Sequence, residues 1–123
     1  PHFGLSSENI FLAVDRILVP VIPTVLSQRT LEQLVDFFKL KNYKTEKILG
    51  FFSMVDSRKK LHNQTMTSLH SGPIPFLTTS IPYASAVEKM GVHRAPVSTF
   101  AGRQKAAQAI RSLAEELERL AII

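Results

Sequence analysis

Two groups of basic side chains are the residues of this sequence best suited to chemistry. Arg58, Lys59 and Lys60 stand two residues after a short apolar run, and Arg103 and Lys105 stand at the start of the last helical pattern. Clustered cations of this kind hold phosphate groups by charge, as in the backbone contacts of nucleic-acid-binding proteins. The formal net charge of +5 also favours an anionic partner. The alternative is that both groups belong to a solvated helix face.

Enzyme chemistry and metal binding find little support in the residue types. The sequence has no cysteine, which excludes disulfides, thiolate zinc sites and thiol nucleophiles. It also has no glycine-rich phosphate loop and no G-x-S-x-G nucleophile motif. The four histidines lack metal-ligand spacing, and we expect them to face solvent: His2, His62, His70 and His93. The sequence therefore predicts no catalytic residue and no metal site.

Three short apolar runs predict the strands that must position these side chains. They span Ile17–Thr24, Ile48–Val55 and Phe76–Ile81, and the first two are apolar on both faces. Such runs are typical of strands buried between helix layers. Helical patterns separate the runs, so we predict an α/β fold with a parallel sheet of about three strands flanked by helices. In such sheets, ligands bind beyond the carboxyl ends of the strands.

The helical patterns also predict ends and faces. After the first strand, Ser27 is the expected N-cap, and Leu31, Leu34, Val35 and Phe38 share one apolar face. Pro20 and Pro23 are expected where strand pairing is interrupted or has ended. A further helix is expected to be capped by Ser6 or Ser7, and a helix over 58–71 by Asp56 and Ser57. A short helix should begin at Ala84 and stop at Gly91. The last helix should span 103–121, with these charged residues facing water: Glu115, Glu116, Glu118 and Arg119.

Length and composition indicate one domain. The chain has 123 residues, of which 45% are apolar, and this allows a core of its own. No apolar run approaches the ~18 residues of a membrane-spanning helix, so we expect no membrane partner and a cytoplasmic location. The chain begins at Pro1 without an initiator methionine. We therefore expect residues 1–123 to form a single α/β domain that lacks an N-terminal part.

Several segments, in this order, resemble the deviant Walker ATPases of the ParA/MinD type. They are Asp15–Val21, similar to the strand that follows Walker B; Phe52–Arg58, similar to the next strand and its D-x-R end; Thr79–Pro82, similar to the t-x-I-P strand; Val87–Met90 with Ala95–Val97; and Phe100 with Ala106–Glu116, similar to the C-terminal helix. The similarity runs from about Pro1 to Leu120 and corresponds to roughly the C-terminal half of a family member.

The resemblance implies the C-terminal half of a doubly wound P-loop NTPase fold. Family members bind ATP with Mg²⁺, dimerise and hydrolyse ATP weakly, and ParA proteins bind DNA non-specifically while they partition plasmids or chromosomes with a ParB-like partner. Carried over to this sequence, the adenine would lie against Ser53, Met54, Pro82, Tyr83 and Ala84. The implied DNA contacts are the basic residues named above: Arg58, Lys59, Lys60, Arg103 and Lys105.

The sequence also departs from the family pattern. The Walker A loop with its two lysines and the Walker B aspartate are absent, and Pro1 would belong to the switch that follows that aspartate. These residues alone should therefore neither hydrolyse ATP nor hold it stably. Gln104 stands where many partition ATPases have serine. Two other hypotheses are an ATP-dependent enzyme of the related cobyrinic acid a,c-diamide synthase group, and a standalone interaction module without nucleotide chemistry.

Overall fold

The central feature of the fold is a parallel sheet of three strands in the order β1-β2-β3. The computed structural model describes residues 3–123, so Pro1, with its expected switch position, and His2 lie outside the described residues. The strands are β1 (Ile17–Val21), β2 (Ile48–Val55) and β3 (Phe76–Pro82). The predicted α/β class, with about three parallel strands flanked by helices, is confirmed.

Six α-helices and one 3-10 turn at Thr45–Lys47 accompany the sheet in the described part of the chain. None of these helices is long and apolar enough to cross a membrane. Their bounds are α1 (Leu5–Ala13), α2 (Val25–Leu40), α3 (Lys60–His70), α4 (Ser85–His93), α5 (Val97–Phe100) and α6 (Lys105–Arg119).

One face of the sheet forms the main core with α2 and α3. Ile48 and Phe52 of β2 are almost fully buried there, together with Phe38 of α2 and Leu69 of α3. Each such side chain contributes about 1.5–3 kcal/mol when it leaves water. Leu31, Val35 and Phe38 are the buried residues of α2, and Leu34 is half-buried, so the predicted apolar face is confirmed.

The other face is covered by α6, but only over β2 and β3. Leu117 of α6 packs against Leu49 and Leu77. Leu18 and Ile22, by contrast, are each 37% exposed. The prediction that the first strand is buried on both faces and extends to Thr24 is therefore wrong. β1 ends at Val21 and lies at the sheet edge, where Leu18 stays partly exposed.

A glycine makes room for an aromatic stack between β2 and β3. The rings of Phe52 and Phe76 are stacked, with centroids 4.4 Å apart. Gly50 lies beneath the Phe76 ring, and a Cβ atom at this position would come within 2.6 Å of a ring carbon. A side chain at position 50 would therefore push Phe76 away from Phe52.

The helix ends differ from the predicted ones because extended residues outside each helix cap it. Thr24, not Ser27, is the N-cap of α2, and its hydroxyl accepts a hydrogen bond from the Ser27 N–H at 3.2 Å. Gly4 is the N-cap of α1, so the predicted serine caps lie inside that helix. Helix α4 continues through Gly91 and ends at His93, and its C-cap residue Arg94 takes the left-handed conformation with φ 49°.

Glu116 is buried, although the sequence predicts that it faces water. It is 4% exposed, and its two carboxylate oxygens accept hydrogen bonds from the N–H groups of Thr78 and Thr79, both at 2.8 Å. These amides lie where β3 bulges, since Gly50 and Phe52 pair with Phe76 and Ser80. The carboxylate therefore accepts hydrogen bonds from backbone N–H groups that have no partner in the neighbouring strand.

Met54 forms a second irregularity, at the carboxyl end of β2. Its φ of 53° lies in the left-handed region, which a side chain with a Cβ atom rarely adopts. The pairing shifts at the same point, because Phe52 is opposite Ser80 while Val55 is opposite Pro82. The extra residue on β2 turns the Met54 side chain outward, where it is 42% exposed.

Replacing Glu116 with Gln should lower the free energy of unfolding by about 1–3 kcal/mol, measured by urea denaturation. A carboxamide offers one acceptor oxygen to the two amides of Thr78 and Thr79 and places an N–H donor against the other. The neighbouring exposed Glu115 supplies the control, and Glu115→Gln should change stability by less than about 0.5 kcal/mol. Equal effects of the two substitutions would contradict the role of Glu116.

The stabilisation by Glu116 should also depend on pH. Burial alone would raise the pKa of Glu116, but the hydrogen bonds from Thr79 and Thr78 and the charge of Arg119 outweigh it and hold the pKa below the usual 4.5. The contribution is thus fully present above pH 4.5 and is lost as the pH falls through the lowered pKa. The stability gap between wild type and Glu116→Gln should shrink on acidification below that pH, and a constant gap would refute this assignment.

Substitutions at Met54 should follow its backbone conformation and not its burial. Met54→Gly should be more stable than Met54→Val by about 1–2 kcal/mol, because glycine takes positive φ freely and a β-branched residue does not. The adjacent Ser53, outside the left-handed region, is the control, and Ser53→Gly should destabilise by about 0.5–1 kcal/mol. Urea denaturation measures all three variants, and a Met54→Val protein as stable as Met54→Gly would rule out the strained conformation.

Candidate functional site

The carboxyl ends of the three strands meet along one edge of the sheet, because all three run in the same direction. Three adjoining cavities follow this edge. Tyr83 lines all three, whereas Met54 and Pro82 each line two of them. We call the cavity beside β3 the apolar cleft and the one between β1 and β2 the basic cleft. Together they form a groove across the position where parallel sheets bind ligands.

The apolar cleft contains every residue predicted to contact adenine. Its volume is about 150 Å³, and it is lined by Ser53, Met54, Ile81, Pro82, Tyr83, Ala84, Val87 and Glu88. Carbon atoms dominate this lining, and the Tyr83 side chain is 57% exposed at the rim. A shallow apolar cleft with one aromatic ring suits a flat heterocycle, which binds by stacking and by burial of its faces.

Two backbone features set the shape of the apolar cleft. The left-handed Met54 lines the cleft at the end of β2. The N–H of Tyr83 donates to the Val55 carbonyl at 3.0 Å, which fixes the end of β3 against β2. Met54 and Pro82 therefore lie on the same cavity, as the sequence-based prediction of a shared pocket requires. That adenine binds there stays a prediction.

Arg58 is held by Asp56 at the turn after β2. The Nε and Nη2 atoms of Arg58 donate to Oδ1 and Oδ2 of Asp56, each at 3.0 Å, and the Arg58 N–H donates to Oδ1 at 3.1 Å. These contacts lower the pKa of Asp56 to about 2. The predicted cap at Asp56 and Ser57 is thus wrong, because Asp56 binds Arg58 while Lys59 is the N-cap of α3. The charge of Arg58 is largely balanced, which leaves Lys59 and Lys60 as the cations of this turn.

His62 is buried, which corrects the prediction that the histidines face solvent. The residue is only 7% exposed, and its Nδ1 atom accepts a hydrogen bond from the Asp56 N–H at 3.1 Å. His70 and His93 are exposed, as predicted. The sequence carries a signal for His62, since residues 62, 65 and 69 have the spacing of one buried helix face.

The basic cleft places His62 beside charged side chains. Its volume is about 320 Å³, and it is lined by Ile22, Thr24, Met54, Asp56, Arg58, Lys59, His62 and Tyr83. A smaller cavity of about 230 Å³ connects it with the apolar cleft around Pro82 and Tyr83. No group of three or more His, Asp and Glu side chains within residues 3–123 is arranged to hold a metal ion.

Arg103 and Lys105 lie at the same end of the sheet but outside the groove. Helix α6 runs opposite to β3, because Leu117 packs near the start of β3 at Leu77 while Ala107 packs on Ala86, beyond its end. The first turn of α6 therefore lies at the carboxyl edge. Helices α3 and α6 cover opposite faces of the sheet, so the structure separates the predicted DNA contacts into two groups.

Comparison with known proteins identified no relative. No protein-family model matches the chain, and no curated protein and no solved structure matches it significantly.

Proposed function

We propose that this chain is the nucleotide-base-binding and DNA-contacting part of a ParA-like partition ATPase that acts in the cytoplasm. One observation carries the proposal: the five residues that the resemblance assigns to adenine all line one cleft at the carboxyl edge of a parallel sheet. They come from two segments 28 positions apart, at Met54 and Pro82. Convergence of this kind is what a shared ligand would require.

The apolar cleft fits the base of ATP but not its phosphates. Met54 and Tyr83 offer apolar and aromatic surface to the ring, and Ser53 and Ala84 line the same cleft. No acidic cluster suited to Mg²⁺ occurs in the described residues. ATP would supply the energy of a conformational cycle, and the triphosphate and Mg²⁺ would be bound by Walker motifs outside this sequence. In the complete protein, we propose, closure of a homodimer over ATP aligns the basic residues of both copies.

The DNA-binding part of the proposal depends on cations at the carboxyl edge. Lys59 and Lys60 are exposed at the start of α3, and Arg103 and Lys105 are exposed at the start of α6. Arg58 contributes less because Asp56 balances its charge. Separate groups of cations on two helices would contact a phosphate backbone at more than one point, without reading the base sequence.

Adenosine should bind weakly to the 123-residue chain, with NMR shift changes at the amides of Met54, Tyr83 and Ala84. Tyr83→Ala should weaken this binding at least about fivefold, since a base–aromatic stack is worth about 1–3 kcal/mol. Tyr83→Phe keeps the ring and should bind like wild type. Cytidine, with its smaller ring, should bind less tightly. Adenosine shifts that fall outside the apolar cleft, or that Tyr83→Ala leaves unchanged, would contradict the base site.

Non-specific DNA binding should depend on Lys59 and Lys60. Replacing both with Ala should weaken binding to duplexes of unrelated sequence by a similar factor and reduce the slope of log affinity against log salt by about 2. The matched control replaces Lys39 and Lys44, two exposed lysines beyond the other end of the sheet. Fluorescence anisotropy over a salt series measures both variants. Equal losses in the two double variants would show that only net charge matters, and unchanged binding would refute the patch.

A further inference from the structure

We propose that the basic cleft is a phosphate-binding site in which His62 donates a hydrogen bond from Nε2 and Lys59 supplies the charge. The ligand is a phosphate group, either free in solution or part of a nucleic-acid backbone. The inference goes beyond the proposed function, which makes no use of His62.

The hydrogen bond at the buried side of His62 fixes the proton on its other nitrogen. Nδ1 accepts from the Asp56 N–H at 3.1 Å, so its lone pair is engaged and the neutral ring carries its proton on Nε2. Nε2 makes no hydrogen bond within the described residues. Since those residues contain no fully buried side-chain nitrogen or oxygen without a partner, Nε2 keeps contact with solvent, and His62 is a lining residue of the basic cleft. In the proposed site, this nine-tenths buried side chain presents its one unused donor to the cleft.

The start of α3 adds a second source of positive potential. No side chain caps this helix, and no acidic residue lies in its first turn. The first N–H groups of a helix and its dipole together favour an anion. Lys59 is the N-cap residue and lines the same cleft as His62. The start of a helix does not by itself identify an anion-binding site, but here it lies beside the Nε2 donor of His62.

Asp56 is the one acidic side chain of the basic cleft, and its charge is already satisfied. Both of its carboxylate oxygens are bound by the Arg58 side chain at 3.0 Å. The ion pair leaves Lys59 as the uncompensated charge among the lining residues. Donors without a competing acceptor select an anion over a cation. In the proposed site, the phosphate group accepts from Nε2 of His62 and from Nζ of Lys59, and the uncapped start of α3 adds positive potential.

Inorganic phosphate, titrated into the ¹⁵N-labelled 123-residue chain at constant ionic strength, tests the site. The amides of residues 60–63 and the His62 ring should shift together. His62→Asn keeps an acceptor near the Nδ1 position but loses the Nε2 donor, and it should weaken phosphate binding about tenfold or more. His62→Gln places an amide N–H near the Nε2 position and should retain more affinity than His62→Asn. The exposed His70 on the same helix is the control, and His70→Asn should bind like wild type.

Lys59→Ala keeps the test decisive if the buried His62 variants do not fold. Lys59 is exposed, so its removal should spare the fold and still weaken phosphate binding several-fold. Phosphate shifts located elsewhere, or wild-type affinity in both His62→Asn and Lys59→Ala, would overturn the proposal. Chloride at equal ionic strength reproducing the shifts would overturn it as well.

A competition arm distinguishes the two sources of the phosphate group. If a short DNA duplex displaces inorganic phosphate from His62, the site takes backbone phosphates, and His62→Asn should then weaken DNA binding too. If DNA binds without displacing phosphate, the site takes a free phosphate group. If phosphate binds but DNA does not, the proposed function is contradicted and this inference stands. If DNA binds but phosphate does not bind at residues 60–63, this inference is contradicted and the DNA-binding part of the proposed function stands.

Discussion

The pairing of β2 with a parallel neighbour on each side is the constraint on which the rest of the structure depends. Ile48 and Phe52 anchor β2 in the main core, while Leu49 anchors it on the opposite face. Because both ladders run in the same direction, every connection after a strand starts at one edge of the sheet. The turn that holds Asp56 and Arg58 and the segment that holds Tyr83 are neighbours for this reason alone. The groove is therefore a product of topology before it is a product of particular side chains.

Short apolar runs predicted the strands best where most residues are buried. The predicted bounds of β2 match the structure, since this central strand is covered on both faces over most of its length. β1 has a similar composition but lies at the edge, and composition cannot tell a face that is covered from one that is open. The same limit applies to Glu116. Its neighbours Glu115 and Glu118 are exposed, and only the bulge in β3, a tertiary feature, gives Glu116 two amides to bind.

The candidate site also has features that the sequence predicts and features that it does not. The proximity of residues at strand ends, such as Met54 and Pro82, can be predicted from the sequence. It requires only that the strands are parallel, which places their carboxyl ends at one edge of the sheet. The left-handed backbone of Met54 and the ion pair of Arg58 depend on local geometry that no spacing pattern records. The hydrogen bond of His62 could not be predicted because its partner is a backbone N–H, and every residue except proline offers one. Side chains that bind the main chain are the ones that sequence patterns conceal most.

The space above Gly50 has a consequence for how this protein can change over time. The Phe76 ring occupies the volume that a Cβ atom at position 50 would need, and it is held there by its stack on Phe52. Neither position can be altered alone at low cost: a larger residue at 50 requires a smaller one at 76, and a smaller residue at 76 leaves a void over the glycine. Positions 50 and 76 should therefore be epistatic, and sequences that share this fold should exchange them as a pair.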